Sequence, residues 1–328
     1  MDPYPSVRRQ FRLTDLLVVV AVVCILVGLF LPGISRVRVP SAYSQCCNNV
    51  KQIVLAIHSY TDYFKGALPP ESSAPRDDAW ADKKGNTYPQ SLFFTILPFI
   101  EGDALYRAGM EPSTNGRTWM GQYTIGSATS PIYSHGFFRV YVCPADPTNS
   151  PQQTTPSGWV GGSYAANYQV FGTENWAPKY KLVDIPDGTN NTVLIAERFA
   201  YFPGPAGRFT DPAGAAQQAG NLWAWPANCG TSPPTAYTTP VPQNAAIFAY
   251  GNLRNAPAYG YGPAVFSTPQ IGIDPTHADF RLVQSGHESV VLVAMADGSV
   301  RGVAASVSQP TWQSAVLPAD GTPLGTDW

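Results

Sequence analysis

Charge is scarce in this sequence. Asp, Glu, Lys and Arg together supply 13% of its 328 residues, about half the share usual in a soluble domain. The net charge is −2 and no Lys/Arg cluster is present, which excludes a protein that grips phosphate backbones, so no nucleic-acid partner is expected. Histidine is scarce too: His58, His135, His277 and His287 are the only four, and none stands at the spacing of a sequence-local metal site. No serine sits in a nucleophile-elbow motif and no glycine-rich phosphate loop occurs. These absences remove the ordinary hydrolase and nucleotide-dependent classes, and the expectation is a protein that is not an enzyme and carries no cofactor.

Apolar length, proline, glycine and aromatic residues are what the chain has. Between Leu16 and Ile34 there is no charged side chain. About 20 such residues cross a bilayer core, whereas the apolar part of a signal peptide is shorter and ends in small residues. The run therefore predicts a membrane span. Arg8, Arg9 and Arg12 before it favour a cytoplasmic N-terminus, although Arg36 and Arg38 follow closely. Further on, Cys46, Val50, Ile53, Ile57 and Tyr60 recur at alternating steps of four and three, one apolar stripe of a helix. Pro40 suits the first turn of that second helix, Pro32-Gly33 and Pro40 are the expected bends, and Pro69-Pro70 ends it. Phe137–Cys143 reads as a strand, as do the runs from Asn191 to Phe199, "SVVLVAM" and "SVRGVA". Asp297-Gly298 between the last two is a hairpin signal, read as a type I′ turn with both residues at positive φ. With 32 Pro and 29 Gly the remainder is loop-rich, and its Trp and Tyr content points to packed loops rather than a flexible tail.

Two resemblances add to this. The segment around Phe11 resembles the type IV pilin and pseudopilin leader, in which a peptidase cuts after a Gly, the new N-terminal Phe is methylated and an acid stands five residues on. Phe11 matches that Phe and Asp15 stands in the acid's place, while Gln10 replaces the Gly. From Cys46 onward the chain resembles the DUF1559 family. The motifs that carry this are Cys46, Asn48, Asn49, Lys51, Gln52, His58 and Tyr60; "YVCPADP" with Cys143 and Asp146; "GGSYAANYQVFG"; "IPDGTNNTVLIAER" with Asp187; and His287 nine residues ahead of Asp297-Gly298. The resemblance implies an α+β fold, with a pilin-like long N-terminal helix packed on an antiparallel β-sheet and long Pro/Gly/aromatic-rich loop insertions. It divides the chain into a leader-like cytoplasmic segment 1–10, a transmembrane or assembly helix 11–34, an amphipathic helix 35–66 continuing the spine, and an extracytoplasmic domain 67–328 with an insertion at 202–270.

The implied role is a membrane-anchored, exported pseudopilin-like assembly protein of a secretion or pilus-like system. It would be single-pass in the inner membrane with its bulk periplasmic or at the cell surface. Its partners would be the membrane, a prepilin peptidase, and other pseudopilins or copies of itself through the N-terminal helix. The alternative is a cell-surface module on the same anchor whose Tyr/Trp/Asn-rich loops bind carbohydrate or peptide. His287 and Asp297 do not form one site, because a strand between them holds them about 30 Å apart. Asp297 is read as the turn residue and His287 as a strand-start residue. The Asp187-Gly188-Thr189-Asn190 loop is an Asx-turn, with Ca²⁺ as the only cofactor it would suit. Cys24 is a small apolar filler in the span. Cys46, Cys47, Cys143 and Cys229 allow three full disulfide pairings, among which the sequence does not choose. A bond from Cys143 to a helix cysteine would clamp the helix to the sheet.

Overall fold

Helix α1 (Leu13–Tyr63) is the longest element of the chain. The structure is a computed structural model that describes residues 13–72, 90–110, 122–125, 128–131, 138–149, 160–173, 176–210, 216–225, 227, 242–250 and 266–328. The chain divides into two compact units, Met1–Ser44 and Gln45–Trp328. The two nearly continuous helices expected from the sequence form one element, whose helical backbone runs through Pro32 and Pro40.

In the first unit the described side chains of α1 are those of 13–26, apart from that of Asp15, and of 42–44, and the large apolar ones among them, such as Leu16, Val18 and Ile25, are exposed. Among the described residues no helix is long and apolar enough to cross a membrane. This finding overturns the predicted span, and with it the membrane-anchored pseudopilin role and its surface-module alternative on the same anchor. The single-pass inner-membrane placement, the membrane as a partner and the assembly partners inferred through that anchor fall for the same reason. Gln10 and Phe11 lie outside the described residues, as does the side chain of Asp15.

The second unit is built on a five-stranded mixed sheet. Its strands are β3 (Tyr164–Asn167), β4 (Val193–Glu197), β7 (Ile247–Phe248), β10 (Val290–Met295) and β11 (Val300–Ala304), in the order β11-β10-β4-β3-β7. Only β3 and β7 run parallel; the other neighbours are antiparallel. Three two-stranded pairs lie outside it: β1 (Gln122–Ile125) with β2 (Ala128–Pro131), β5 (Arg208–Thr210) with β6 (Ala216–Gln218), and β8 (Gln270–Ile271) with β9 (Gln284–Ser285).

The alternation of side chains across this sheet sets the two halves of the core. Tyr164 and Ala166 of β3 and Leu292 and Ala294 of β10 join one cluster with Cys46, Val50, Ile53 and Ile57 of α1. Those four helix residues are wholly buried, as their spacing predicts. Ala165, Val291, Val293 and Met295 face the other way, onto Trp312, Ala315 and Val316 of a C-terminal helix (Gln309–Val316). The register slips between Ala294, opposite Ile195, and Met295, opposite Val193. Leu194 is thus the extra residue of a bulge, and both Leu194 and Ile195 reach the α1 side.

Two local expectations are corrected. The strand expected over 137–143 is not found among its described residues, 138–143, where Arg139–Tyr141 is a turn of 3-10 helix. Its Tyr141 points into the core and donates its hydroxyl to the Phe93 carbonyl at 2.7 Å. The β10–β11 turn is not type I′, because only Gly298 has positive φ, at 83°. The Gly298 amide donates to the Met295 carbonyl and the Met295 amide to that of Ser299, the pattern of a three-residue loop closed by a left-handed glycine. From the stretch expected to be an insertion, β7 completes the sheet and Trp223 packs into the α1-side core.

A buried acid marks where the chain leaves α1. Glu71 is 2% exposed, and accepts the Ser72 hydroxyl at 2.7 Å. Burial pushes its carboxyl from 4.5 up to about 8. The folded chain therefore holds a proton that the unfolded chain has already released, so stability falls as pH rises across that window. Wild type is expected to lose roughly 2–3 kcal/mol between about pH 6 and pH 8 through this group. Urea unfolding of Glu71→Gln should show that part of the decline removed.

Candidate functional site

Four side chains from four distant segments meet inside the second unit. Cys46 comes from α1, Cys143 follows the 3-10 turn, Glu197 ends β4, and His287 lies between β9 and β10. All four are buried, and their ligand-type atoms lie within 4.8 Å of one another. Cys46 and Cys143 are joined as a disulfide with Cα atoms 5.1 Å apart. The Cys143 sulfur lies 3.3 Å from Glu197 Oε1 and 3.7 Å from His287 Nε2. His287 Nε2 and Glu197 Oε1 are 3.2 Å apart.

Each arm of the cluster is positioned by its neighbours. Asn49, one turn after Cys46, donates its amide to the Val142 carbonyl at 2.8 Å and so holds the residue before Cys143 against the helix. Asp146 folds the loop after Cys143. Its carboxylate accepts the Thr148 amide and hydroxyl, the Ser163 hydroxyl and the Ala200 amide, at 2.7 to 3.0 Å. Burial nonetheless pushes that carboxyl from 3.8 up to about 6, against the pull of those donors. Glu197 is fixed through its other oxygen: Oε2 accepts the Ser285 hydroxyl at 2.8 Å and the Leu292 amide at 2.9 Å. That leaves Oε1 facing sulfur and imidazole. The Ser285 hydroxyl oxygen also accepts the His287 amide at 3.1 Å, so one serine sets both the carboxylate and the histidine. A carboxylate buried this deeply is tolerated because such donors replace its water.

Gly286 lets the histidine reach this position. A Cβ on Gly286 would sit 1.9 Å from the Ala145 carbonyl oxygen. Only a residue without a side chain can therefore bring the β9–β10 connection onto the loop that carries Cys143.

The other residues singled out in the sequence have structural surroundings. Lys51 Nζ donates to the Gly298 carbonyl at 2.6 Å and His58 Nε2 lies 3.1 Å from the Ala296 carbonyl. One face of α1 therefore holds the β10–β11 turn. Asp297 is exposed and accepts the Ser299 amide and hydroxyl, at the far end of β10 from His287. Asn48 is exposed. Asp187 uses both carboxylate oxygens to accept the amides of Asp320 and Gly321; donors aimed at both oxygens suit an anion held by backbone, not a Ca²⁺ ligand. Cys229 and His135 lie outside the described residues.

Sequence reasoning missed Glu197. It closes the run "VLIAE", whose five positions are all buried, and a charged residue ending a wholly apolar strand was the available signal. It missed the meeting of Cys46, Cys143 and His287 because that depends on sequence separations of 97 and 144.

The chain belongs to the DUF1559 family, described as proteins of unknown function, whose model matches residues 43–309. That range contains all four cluster residues, and it excludes the segment around Phe11 that resembles a methylation site. No curated protein and no solved structure matches the chain.

The close approach at Gly286 generates a direct test. Gly286→Ala is expected to cost about 1–3 kcal/mol, the usual penalty of forcing extra volume into a packed site. Urea denaturation measures it, and Gly321→Ala supplies the contrast, since a Cβ there meets nothing within 4 Å, although its positive φ carries its own strain.

Proposed function

We propose that this DUF1559 protein is a non-catalytic structural protein whose folded state is governed by a thiol–disulfide clamp between α1 and the core of its second unit. The observation that carries the reading is the buried Cys46–Cys143 bond set against Glu197 and His287.

A catalytic reading fits the geometry less well. A nucleophile–base–orienter relay uses both imidazole nitrogens, one toward the nucleophile and one toward the acid. Here the same atom, His287 Nε2, faces both the Cys143 sulfur and the Glu197 carboxylate. His287 and Glu197 are also almost wholly inaccessible, with side chains 6% and 3% exposed, so a substrate has no route to them without local opening. The surroundings suit two states of the sulfur instead. In the disulfide neither sulfur carries a proton. Once the bond is reduced, the Cys143 thiol has an acceptor waiting in Glu197 Oε1 at 3.3 Å.

The bond closes a long loop, with its cysteines 97 residues apart. In the chain-entropy account a loop of that size is worth about 4–5 kcal/mol to the folded state. Urea unfolding with and without dithiothreitol tests the proposal. Reduction is expected to lower stability by about 3–5 kcal/mol, and Cys46→Ser to reproduce that loss and abolish the effect of reductant. Cys47→Ser should keep the sensitivity to reductant. Identical unfolding curves with and without reductant would remove the clamp.

A further inference from the structure

Three of the four atoms of the cluster, the Cys143 sulfur, Glu197 Oε1 and His287 Nε2, have the spacing of a metal's coordination shell, and the Cys46 sulfur lies within 4.8 Å of all of them. A tetrahedral Zn²⁺ holds thiolate sulfur at about 2.3 Å, and imidazole nitrogen or carboxylate oxygen at about 2.0–2.2 Å. The edges of such a tetrahedron are then roughly 3.5 Å from sulfur to nitrogen or oxygen, and roughly 3.3 Å from nitrogen to oxygen. The observed separations are 3.7 Å from Cys143 sulfur to His287 Nε2, 3.3 Å from that sulfur to Glu197 Oε1, and 3.2 Å from Nε2 to Oε1. Three ligands therefore already stand about where a tetrahedral ion would hold them. The Cys46 sulfur is the ligand that must move: it is bonded to the Cys143 sulfur at 2.18 Å, an edge that must open to roughly 3.8 Å around an ion, and it lies within 4.8 Å of the Glu197 and His287 atoms, edges that an ion would set at roughly 3.5 Å.

We propose that, once the Cys46–Cys143 bond is reduced, Cys46, Cys143, Glu197 and His287 form a closed site for one divalent ion of the zinc class. This rests on the clamp reading and extends it: the metal takes over the link between α1 and the Cys143 loop when the disulfide is lost. Two thiolates with one imidazole and one carboxylate form a donor set that favours Zn²⁺ over the oxygen-seeking Mg²⁺ and Ca²⁺. Four protein ligands leave no open position, which is the pattern of a structural ion. The outer contacts are of the kind that orient metal ligands: the Ser285 hydroxyl and the Leu292 amide occupy Glu197 Oε2 and leave Oε1 directed inward.

The chemistry balances in two steps. A dithiol reductant supplies two electrons and two protons, the Cys46–Cys143 S–S bond breaks into two thiols, and the reductant closes its own disulfide. On ion uptake the two thiol protons pass to solvent, giving two thiolates bound to the ion.

Cobalt(II) is the probe, because tetrahedral thiolate coordination gives it a sulfur-to-metal charge-transfer band and intense visible absorption. The experiment uses the full chain with Cys24, Cys47 and Cys229 replaced by serine, so that Cys46 and Cys143 are the only thiols. It is reduced with dithiothreitol, desalted without oxygen and titrated, with circular dichroism to follow folding. The expected result is one cobalt per reduced chain with both spectral features, displaced by zinc, and none in the oxidised chain. In the same background His287→Gln and Glu197→Gln should each weaken binding at least about tenfold. A reduced, folded chain without the charge-transfer band overturns the proposal, and so does binding that neither substitution weakens. If the reduced chain unfolds and zinc does not restore it, the metal site is also overturned while the clamp stands. Unchanged stability on reduction removes the clamp whatever cobalt does.

Discussion

The packing of α1 against one face of the sheet is the contact on which the rest of the second unit depends, and the Cys46–Cys143 bond is its covalent form. Val50, Ile53 and Ile57 continue the buried stripe that Cys46 begins. Polar contacts continue it at the edges: Asn49 to the Val142 carbonyl, Lys51 and His58 to the turn that joins β10 and β11. These contacts thus fix two separate parts of the chain to the helix, and the sulfur bridge keeps the first of them from drifting. The wholly buried apolar residues supply the larger share of the driving force, at about 1.5–3 kcal/mol for each large side chain removed from water. The polar contacts decide which segment goes where.

Around this contact, buried polar side chains do much of what regular secondary structure does elsewhere. Asp146 gathers amides and hydroxyls from three segments. Asn167 ends β3 by capping the short helix that follows (Tyr168–Phe171) and donates to the Val193 and Val316 carbonyls. Asn221 donates to the Gly162 and Tyr164 carbonyls and accepts from Arg198, whose guanidinium also donates to the Ala245 and Phe280 carbonyls. A loop-rich chain must satisfy many backbone groups outside ladders, and these side chains do so. Glu197 and His287 belong to the same economy, and what sets them apart is that they face sulfur.

Much of this was legible from residue patterns. The stripe from Cys46 to Ile57 announced its buried face, and the strands around Val193–Glu197, Val290–Met295 and Val300–Ala304 followed from β-branched runs between turn residues. The sequence of 137–143 misled because its alternating aromatic and aliphatic residues suit a strand, whereas tertiary contact of Tyr141 with Phe93 and Trp223 accompanies a 3-10 turn over Arg139–Tyr141. Asp297-Gly298 suggested the tightest hairpin, but the loop takes three residues, with the Ala296 and Asp297 amides donating to the Thr192 and Thr189 carbonyls. The apolar run after Leu16 suggested a span, which the described helix does not support. The cluster was not legible, because it is a property of four segments brought together by folding. Glycine at position 286 and serine at 285 carry no signal alone; their meaning lies in the approach of Ala145 and in the carboxylate that the serine orients.

The central claim is that α1 is bonded to the Cys143 loop through Cys46 and through no other cysteine. Non-reducing proteolysis of the intact, thiol-blocked protein, followed by tandem mass spectrometry that separates Cys46 from its neighbour Cys47, measures this directly. The account predicts a cross-linked peptide pair in which Cys143 is joined to Cys46 and which reductant splits in two. Cys143 recovered as a blocked thiol, or joined to Cys47 or Cys229, would contradict it.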